Sequence, residues 1–194
     1  MIRTNDNSFF EYIENYLEDK NAQMLFDTLN SNIDWSPQKM KIYNKVILTP
    51  RLIHWFSHHD YPFADLPANP VPEYLNLIIK GVTRYVNNRY KTNMKYDSVL
   101  INKYRNGNDY IGWHSDSEAK KGTIVAMLSL GQMRTFGLRK KDDQDDGLGY
   151  IEYNLKPGSL FIMGGDSQKH WKHSLLKSKG SDRERISLIF RMYR

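Results

Sequence analysis

The sequence predicts an α+β fold: a jelly roll, or double-stranded β-helix, with N-terminal helices packed on one face. Two observations predict it. In the N-terminal half, two stretches carry apolar residues at helical spacings, whereas from Ser98 onward apolar and polar residues alternate with a period of two. Eight short β-prone runs then follow one another, which is typical of antiparallel sheets packed face to face.

Two N-terminal stretches predict the helices. Residues 8–30 predict one helix, a break and a second short helix, with Ser8 and Glu11 placed as a capping box. Residues 72–88 predict a further helix that begins with proline. Its apolar stripe comprises Tyr74, Leu77, Ile78, Val82, Tyr85 and Val86. We expect these helices to be scaffold outside the chemistry.

Residues 34–70 have a different character. Two β-prone runs, 41–48 and 52–56, are separated by prolines, and aromatic and histidine side chains crowd the region. The spacing of His54, His58 and His59 fits no zinc motif, so we expect a polar or partner-facing loop there. Basic residues interleaved with aromatic ones are what a surface that stacks bases and binds phosphates needs.

The β-prone runs of the second half predict the sheet strands. They cover residues 98–104, 110–114, 123–130, 134–139, 149–154, 159–163, 170–176 and 185–193. An acidic, glycine-containing segment at 140–147 joins two of them. Because it lacks the ligand order of an EF-hand, we expect a solvated hairpin loop and not a calcium site.

Length and composition set the organisation. The 194 residues predict one domain, 1–194, made of an N-terminal helical part (1–33), loops whose basic and aromatic residues suit nucleotide recognition (34–70) and a jelly-roll core (98–194). No apolar run is long enough to span a membrane and no signal peptide is evident, so we expect an intracellular protein of the cytoplasm or nucleus. A net charge of +6 and a pI near 9.3 favour an anionic partner such as nucleic acid.

A candidate metal site lies in the segment 102–118. His114 and Asp116 are two residues apart, so on a strand both side chains point to one face. His173 lies in a second strand-like, aromatic-rich run. Without cysteine, a metal has to bind to His, Asp or Glu. Two histidines and one carboxylate form the facial triad of non-haem Fe(II) enzymes, which leaves positions open on the metal.

A candidate anion site lies in the last strand-like run. Arg185 and Arg191 are six residues apart, so both point to one face, whereas the intervening Ile186, Leu188 and Phe190 make the other face apolar. Charge inside a barrel is costly unless it meets an anion. A keto acid that chelates the metal has a distal carboxylate that needs such a cation.

The motifs together indicate a family. They are YNKVILTPRL, LINKYRNGNDYIGWHSD, LSLG at 128–131, GSLFIMGG, HWKHSL and RISLIFR. In this order and spacing the chain, from about Pro37 onward, resembles the AlkB-like Fe(II)- and 2-oxoglutarate-dependent dioxygenases, especially the branch that repairs alkylated DNA. The resemblance implies oxidative demethylation of bases such as 1-methyladenine and 3-methylcytosine, with Fe(II), 2-oxoglutarate and O2, and release of formaldehyde. It implies alkylated DNA, or RNA, as the partner of a monomeric enzyme.

The resemblance also implies roles for individual residues. His114, Asp116 and His173 would bind iron. The co-substrate would meet Asn102, Tyr104, Arg185 at its distal carboxylate, Ser187, and Arg191 near its C1 end. The substrate would meet Tyr43 at the finger that fills the gap left by a flipped base, Arg51 at a phosphate or base edge, Tyr61 and Phe63 in the base pocket, and Glu118 at the damaged base.

The chain departs from the family at several positions. The terminal motif usually reads R-x-N-x-T-x-R, whereas Ser187 and Ile189 stand at the Asn and Thr positions. We expect a quantitative effect on 2-oxoglutarate binding and not a loss of activity. Ser115 stands between the predicted ligands His114 and Asp116, whereas family members often have basic residues near this position. Two alternatives stay open: a dioxygenase acting on RNA, a protein or a small molecule, and a non-catalytic nucleic-acid-binding module.

Overall fold

A computed structural model of the chain describes residues 1–42, 45–57, 67–116, 122–141 and 149–192, with backbone alone at 40–42 and 45. In chain order the strands are β1 (Ile2–Arg3), β2 (Ser8–Ile13), β3 (Pro37–Ile42), β4 (Lys45–Phe56), β5 (Ser98–Tyr104), β6 (Ile111–His114), β7 (Val125–Gly131), β8 (Arg134–Lys140), β9 (Tyr150–Leu155), β10 (Leu160–Gly165), β11 (Trp171–Leu175) and β12 (Arg185–Arg191). The helices are α1 (Asp19–Asn32), α2 (Glu73–Tyr90) and the short α3 (Ser167–His170).

Within the described residues the strands form two sheets whose paired strands are antiparallel. The larger sheet has the order β1-β2-β10-β7-β12-β5-β4-β3, and the smaller sheet has the order β6-β11-β8-β9. Strands that are neighbours in space are often distant in sequence; β12, for example, lies between β5 and β7. Such crossovers are the mark of a jelly roll. The eight strands predicted in the second half are present, each within a residue or two of its expected bounds.

Two apolar layers hold the sheets and helices together. The first layer packs α1 and α2 against the larger sheet and includes Leu25, Leu29, Leu75, Val82, Ile101, Leu128, Leu188 and Phe190. The second layer lies between the sheets and includes Phe10, Trp55, Leu100, Met127, Phe136, Phe161 and Trp171. Because side chains alternate along a strand, each central strand of the larger sheet contributes to both layers.

Residues 8–13 form strand β2, so the first predicted helix is wrong. The strand pairs with β10 and is covered on both faces, with Phe10 in the inter-sheet layer and Phe9 on the helix side. A strand buried on both faces carries apolar residues at consecutive positions, which in a short window imitates helical spacing. Glu11 forms no capping box with Ser8. Its carboxylate accepts hydrogen bonds from Arg89 and Tyr90 of α2.

The two other predicted helices are present. The second N-terminal helix is α1, with 14 residues, and the third is α2, which begins directly after Pro72. The predicted apolar stripe of α2 is right for Val82 and Val86, which are buried, and for Tyr74, Ile78 and Tyr85, which are partly buried against the first layer. It misses Leu75 and Ile79, which are buried. Leu77, placed on the stripe by its sequence spacing, is 67% exposed. None of the described helices is long and apolar enough to cross a membrane.

The two β-prone runs of the 34–70 region belong to a hairpin at the edge of the larger sheet. β4 extends continuously from Lys45 to Phe56, through Pro50, and pairs with both β3 and β5. Pro50 is tolerated because a proline lacks only its N–H; its carbonyl oxygen accepts a hydrogen bond from the backbone of Tyr110. The hairpin therefore places Arg51 beside β5.

Candidate active site

Two strands of the smaller sheet bring the predicted metal ligands together. β6 and β11 pair with His114 opposite His173, and the centroids of the two rings are 4.2 Å apart. Asp116 follows the end of β6, and its Oδ1 lies 3.6 Å from Nε2 of His114 and 3.7 Å from Nε2 of His173. The donor atoms of all three side chains lie within 4.8 Å of one another. A divalent ion about 2 Å from each ligand fits this spacing.

The protonation states of these side chains suit metal binding. Nδ1 of His114 lies 2.8 Å from the carbonyl oxygen of Gly112, an acceptor, so Nδ1 carries the hydrogen and Nε2 offers its lone pair. Desolvation, reinforced by His173, lowers the pKa of His114. Burial by itself raises the pKa of Asp116, but the Arg191 guanidinium and the two histidines outweigh burial and hold that pKa below its usual range. Near neutral pH, His114 is neutral and Asp116 is ionised.

A cavity of about 400 Å³ opens beside the three side chains. Its walls come from both sheets, since inner-face residues of β5, β7 and β12 meet β6, β8 and β11 across it. From β12 the cavity is lined by Arg185, Ser187, Ile189 and Arg191, the alternate positions that the sequence predicts on one face. A cavity of this size is typical of a small-molecule site.

Arg185 is a fully buried cation in the cavity wall. Its Nη2 donates to Oγ of Ser129 at 2.8 Å, whereas Nε and Nη1 have no hydrogen-bond partner among the described residues. The ring centroid of Tyr104 lies 5.3 Å from its guanidinium carbon. Burial lowers the pKa of Arg185 to about 10, which leaves it charged at neutral pH. A buried cation with unsatisfied N–H groups is costly unless an anion binds to it.

The Asn102 amide is oriented by Arg51. Asn102 and Ser187 face each other across the β5–β12 pair and both line the cavity. Nε of Arg51 donates to Oδ1 of Asn102 at 2.8 Å. Because that oxygen already accepts a hydrogen bond, the NH2 group of Asn102 is the one suited to an acceptor in the cavity. Arg51 is 6% exposed, so it lies in the cavity wall and not on the outer surface.

Several side chains contact this site without having been predicted, and three of them bear on the metal and anion groups. Ser129 hydrogen-bonds to Arg185, Trp113 lines the cavity beside the first ligand, and Gln168 accepts the backbone N–H of Asp116. Ser129 lies in the run LSLG, so its motif was a usable signal. Nothing in the local pattern marks Gln168, because the residue it contacts is 52 positions away in the chain.

The remaining predicted substrate contacts, Tyr43, Tyr61, Phe63 and Glu118, lie outside the described residues. Within the described ranges, one group of His, Asp and Glu side chains is compact enough to share an ion, and it is the triad described above. His54 does not belong to it; its ring packs 4.7 Å from that of Phe56 on β4.

Comparison with known proteins establishes the family. The family model of the 2OG-Fe(II) oxygenase superfamily matches residues 9–191. The chain belongs to the 2OG-Fe(II) oxygenase superfamily. Solved structures agree at the level of fold. The chain superposes on the structure of OsALKBH1 with a TM-score of 0.66 at 18% identity, covering 94% of this chain and 97% of the other. A Pseudomonas putida prolyl-4-hydroxylase gives a TM-score of 0.59 at 16% identity, covering 94% and 91%.

Curated relatives of the chain identify the branch of the superfamily that it resembles. Alpha-ketoglutarate-dependent dioxygenase alkB homolog 3 of Mus musculus is 31% identical over 184 residues, which cover 91% of this chain and 63% of the relative. DNA oxidative demethylase ALKBH2 of Mus musculus is 34% identical over 181 residues, covering 88% and 74%. The corresponding human protein is 31% identical over 186 residues, covering 88% and 68%. The resemblance to AlkB-like dioxygenases is confirmed. The chain spans less than two thirds of the length of its alkB homolog 3 relatives.

The cavity residues fit the two groups in the superfamily's name, 2-oxoglutarate and Fe(II). Two imidazoles and one carboxylate on neighbouring segments suit Fe(II) and leave coordination positions open. The unsatisfied N–H groups of Arg185 suit a carboxylate, and the amide NH2 of Asn102 adds a second donor in the same cavity.

Proposed function

We propose that this oxygenase oxidatively demethylates N-alkylated nucleic-acid bases, such as 1-methyladenine and 3-methylcytosine in DNA, and releases formaldehyde. The observation that carries the proposal is one cavity that holds both the His114–Asp116–His173 group and the buried Arg185 cation, whose Nε and Nη1 lack partners among the described residues. The similarity to proteins named DNA oxidative demethylase supports nucleic acid as the substrate class.

Different residues of the cavity would bind the metal ion and the co-substrate. His114, Asp116 and His173 would hold Fe(II), which with O2 and 2-oxoglutarate supplies an oxidant that hydroxylates the N-methyl group while the co-substrate becomes succinate and carbon dioxide. Arg185 would pair with the distal carboxylate of 2-oxoglutarate, beside Tyr104. Asn102, Ser187 and Arg191 would then border the remainder of the co-substrate. The hydroxymethyl group on the base nitrogen would then leave as formaldehyde with release of a proton, and the ring nitrogen would regain its lone pair.

The walls of the cavity would keep the reaction dry. They are largely apolar, with Leu100, Met127, Phe136, Met163, Leu175 and Ile189 among the lining residues. Excluding water strengthens the pairing of Arg185 with a carboxylate and prevents side reactions of the bound groups. Ile189 adds a hydrocarbon surface at the position where the family usually has threonine, so the chain contributes burial there and not a hydroxyl.

The substrate would enter as a flipped nucleotide. A methyl group on a Watson–Crick nitrogen weakens pairing, so such a base costs less to flip out of the helix. The net charge of +6 favours a polyanion. Arg51, which lies in the cavity wall, would contact an edge of the flipped base. We propose that Tyr43, Tyr61, Phe63 and Glu118 complete the contacts as the sequence resemblance implies, with the Glu118 carboxylate facing the positive charge of the methylated base.

We extend the proposal to the organisation of the protein. Residues 1–194 would form one domain, with 34–70 as its nucleotide-recognition part and 98–194 as its core. The part at 1–33, predicted to be helical, contains strands β1 and β2 as well as helix α1. The protein would act as a monomer inside the cell. The support is the pair of apolar layers that joins helices and sheets across all three parts.

The test is mass spectrometry of an oligonucleotide that contains 1-methyladenine, incubated with the protein, Fe(II), 2-oxoglutarate and air. We expect the loss of one CH2 per lesion, accompanied by succinate, and dependent on 2-oxoglutarate. His173→Ala should abolish both products. His170→Ala is the matched control, because this half-buried histidine lies three residues earlier and outside the metal group, and it should retain both.

The outcomes separate the alternatives. Methylated RNA of the same sequence is incubated in parallel. The ratio of the demethylation rates of the DNA and RNA oligonucleotides shows which nucleic acid is the preferred substrate. Succinate formation without any change in either oligonucleotide would overturn the proposed substrate and point to a protein or small molecule. Nucleic-acid affinity without metal binding or succinate would overturn the proposed chemistry and indicate a binding module.

A further inference from the structure

Two hydrogen bonds attach the segment that carries Asp116 to the segment that leads to His173. The backbone N–H of Asp116 donates to Oε1 of Gln168 at 2.8 Å. Oγ of Ser115 donates to the carbonyl oxygen of Trp171 at 2.8 Å. Gln168 and Trp171 lie five and two residues before His173. The loop after β6 is therefore tied directly to α3 and to the start of β11.

The α3 turn is held in place independently of these two bonds. The backbone N–H groups of Lys169 and His170 donate to the carbonyl oxygen of Asp166. From the end of β8, Nζ of Lys141 donates to the carbonyl oxygen of Gln168 at 2.8 Å. The backbone around Gln168 is thus fixed at both ends of the turn, so its side chain starts from a defined position.

Trp171, the anchor point of Ser115, is equally well supported. It is fully buried and packs edge-on against Phe10, with ring centroids 5.1 Å apart. Its Nε1 donates to Oδ2 of Asp6 at 3.0 Å. Rigid anchors matter because a hydrogen bond positions its partner only when its own end does not move.

Chemistry determines the orientation of the Gln168 amide. A backbone N–H only donates, so the atom that faces the nitrogen of Asp116 is the amide oxygen. Nε2 of Gln168 is buried and has no hydrogen-bond partner in the part of the chain that the structure describes. The side chain of Asp116 has a different partner: its Oδ1 forms an ion pair with Nη2 of Arg191 at 2.8 Å. The backbone and the side chain of Asp116 are therefore held by different groups.

We propose that Gln168, assisted by Ser115, is a positioning residue that sets the separation of Asp116 and His173 before a metal ion binds. Asp116 lies beyond the end of β6, where the sheet ladder stops, and the Gln168 amide takes over the backbone hydrogen bond there. This inference rests on the proposed function, because it presupposes that the triad binds a metal ion. Groups behind the ligands of a metal site are typically worth about 10–100-fold in metal affinity.

The test measures Mn(II) binding to the metal-free protein by calorimetry, with Mn(II) as a probe that needs neither co-substrate nor oxygen. Gln168→Met removes the acceptor at similar size, Gln168→Glu keeps an acceptor oxygen, and Ser115→Ala removes the second bond. Gln23→Met is the matched control, since Gln23 is an exposed glutamine of α1 that hydrogen-bonds to Asp27. Circular dichroism and thermal melting of each metal-free variant report folding.

We expect Gln168→Met to raise the Kd for Mn(II) about 10–100-fold. Gln168→Glu should recover most of that loss, Ser115→Ala should raise the Kd several-fold, and Gln23→Met should match the wild type. A folded Gln168→Met protein with wild-type affinity would overturn the inference, and so would equal losses in the Met and Glu variants. If Gln168→Met does not fold, Ser115→Ala decides, and a folded Ser115→Ala protein with the wild-type Kd for Mn(II) would overturn the inference. Absence of Mn(II) binding in the wild type would instead overturn the proposed function.

Discussion

Arg191 and Asp116 form an almost completely buried ion pair, in which Nη2 lies 2.8 Å from Oδ1 and the side chains are 4% and 2% exposed. The same carboxylate belongs to the metal group with His114 and His173. The arginine therefore supplies the counter-charge that keeps Asp116 ionised before metal binding. A divalent ion held by the three side chains would add a second counter-charge beside the same carboxylate.

Arg191→Met should lower the free energy of unfolding of the metal-free protein by about 3–5 kcal/mol, because it leaves a buried carboxylate without its partner. Saturating Mn(II) should reduce this loss, since the ion then provides the missing positive charge. Urea unfolding with and without Mn(II) measures both effects. Arg84→Met, which removes an exposed arginine of α2, is the control and should change stability by no more than about 0.5 kcal/mol. A loss that Mn(II) leaves unchanged would contradict the prediction.

Arg185→Met should have the opposite effect on the stability of the empty protein. Because Nε and Nη1 of Arg185 lack partners among the described residues, replacing this buried cation should raise the free energy of unfolding by about 1–3 kcal/mol. The same change should raise KM for 2-oxoglutarate about 10–100-fold, the value of a lost charge-assisted hydrogen bond. Urea unfolding and succinate formation test the two halves. A less stable variant with an unchanged KM would refute this account.

Arg134→Met provides the contrast, because this second buried arginine makes three hydrogen bonds to carbonyl oxygens, and only its Nε lacks a partner among the described residues. Its Nη1 donates to the carbonyl oxygen of Asn106, and its Nη2 donates to those of Asp109 and Leu176. Removing the guanidinium leaves these three carbonyl oxygens without their donor, so the free energy of unfolding should fall by about 2–4 kcal/mol. Urea unfolding of both variants shows whether the free energy of unfolding falls in Arg134→Met and rises in Arg185→Met. Equal shifts for the two variants would show that burial alone, and not hydrogen bonding, governs both sites.

Asp6 should make stability depend on pH in the acid range. Burial by itself raises the pKa of Asp6, but hydrogen bonds from Ser8, Thr4 and Trp171 outweigh burial and lower it from 3.8 to about 2. A folded-state pKa below the unfolded value stabilises the protein above about pH 4, and this contribution disappears as the pH falls toward 2. Asp6→Asn should cost about 1–2 kcal/mol at pH 7, after allowance for partial exposure. Urea unfolding across pH 2–7 should show the gap between the two proteins closing toward acid; a widening gap would contradict the assignment.

Gly107→Ala should separate the two loops that follow β5 and β11. A Cβ at Gly107 would lie 1.7 Å from the carbonyl oxygen of Ser178, and the backbones of these loops already exchange hydrogen bonds at this point. We expect a loss of about 1–3 kcal/mol, the usual cost of overpacking. Gly112→Ala is the control, because a Cβ there meets nothing within 4 Å. Thermal unfolding compares the two, and equal melting temperatures would show that the loops can move apart freely.

Much of the fold and part of the candidate site could be predicted because they follow from local patterns. The alternation along 185–191 places Arg185 and Arg191 on the cavity face and Ile186, Leu188 and Phe190 on the other, as the structure shows. A period of two reports which face of a strand is buried, whatever the partner strand is. The same pattern located the strands of the second half to within a residue or two.

The sequence by itself determined the family, the jelly roll, and the order and type of the three metal-group residues. Only the tertiary structure decided that residues 8–13 form a strand, that His114 lies opposite His173, that Arg51 is buried against Asn102, and that Gln168 supports Asp116. The physical reason is distance along the chain. Local periodicity encodes exposure within one element, whereas strand register, burial on two faces and hydrogen bonds across 50 or so residues depend on which elements pack together.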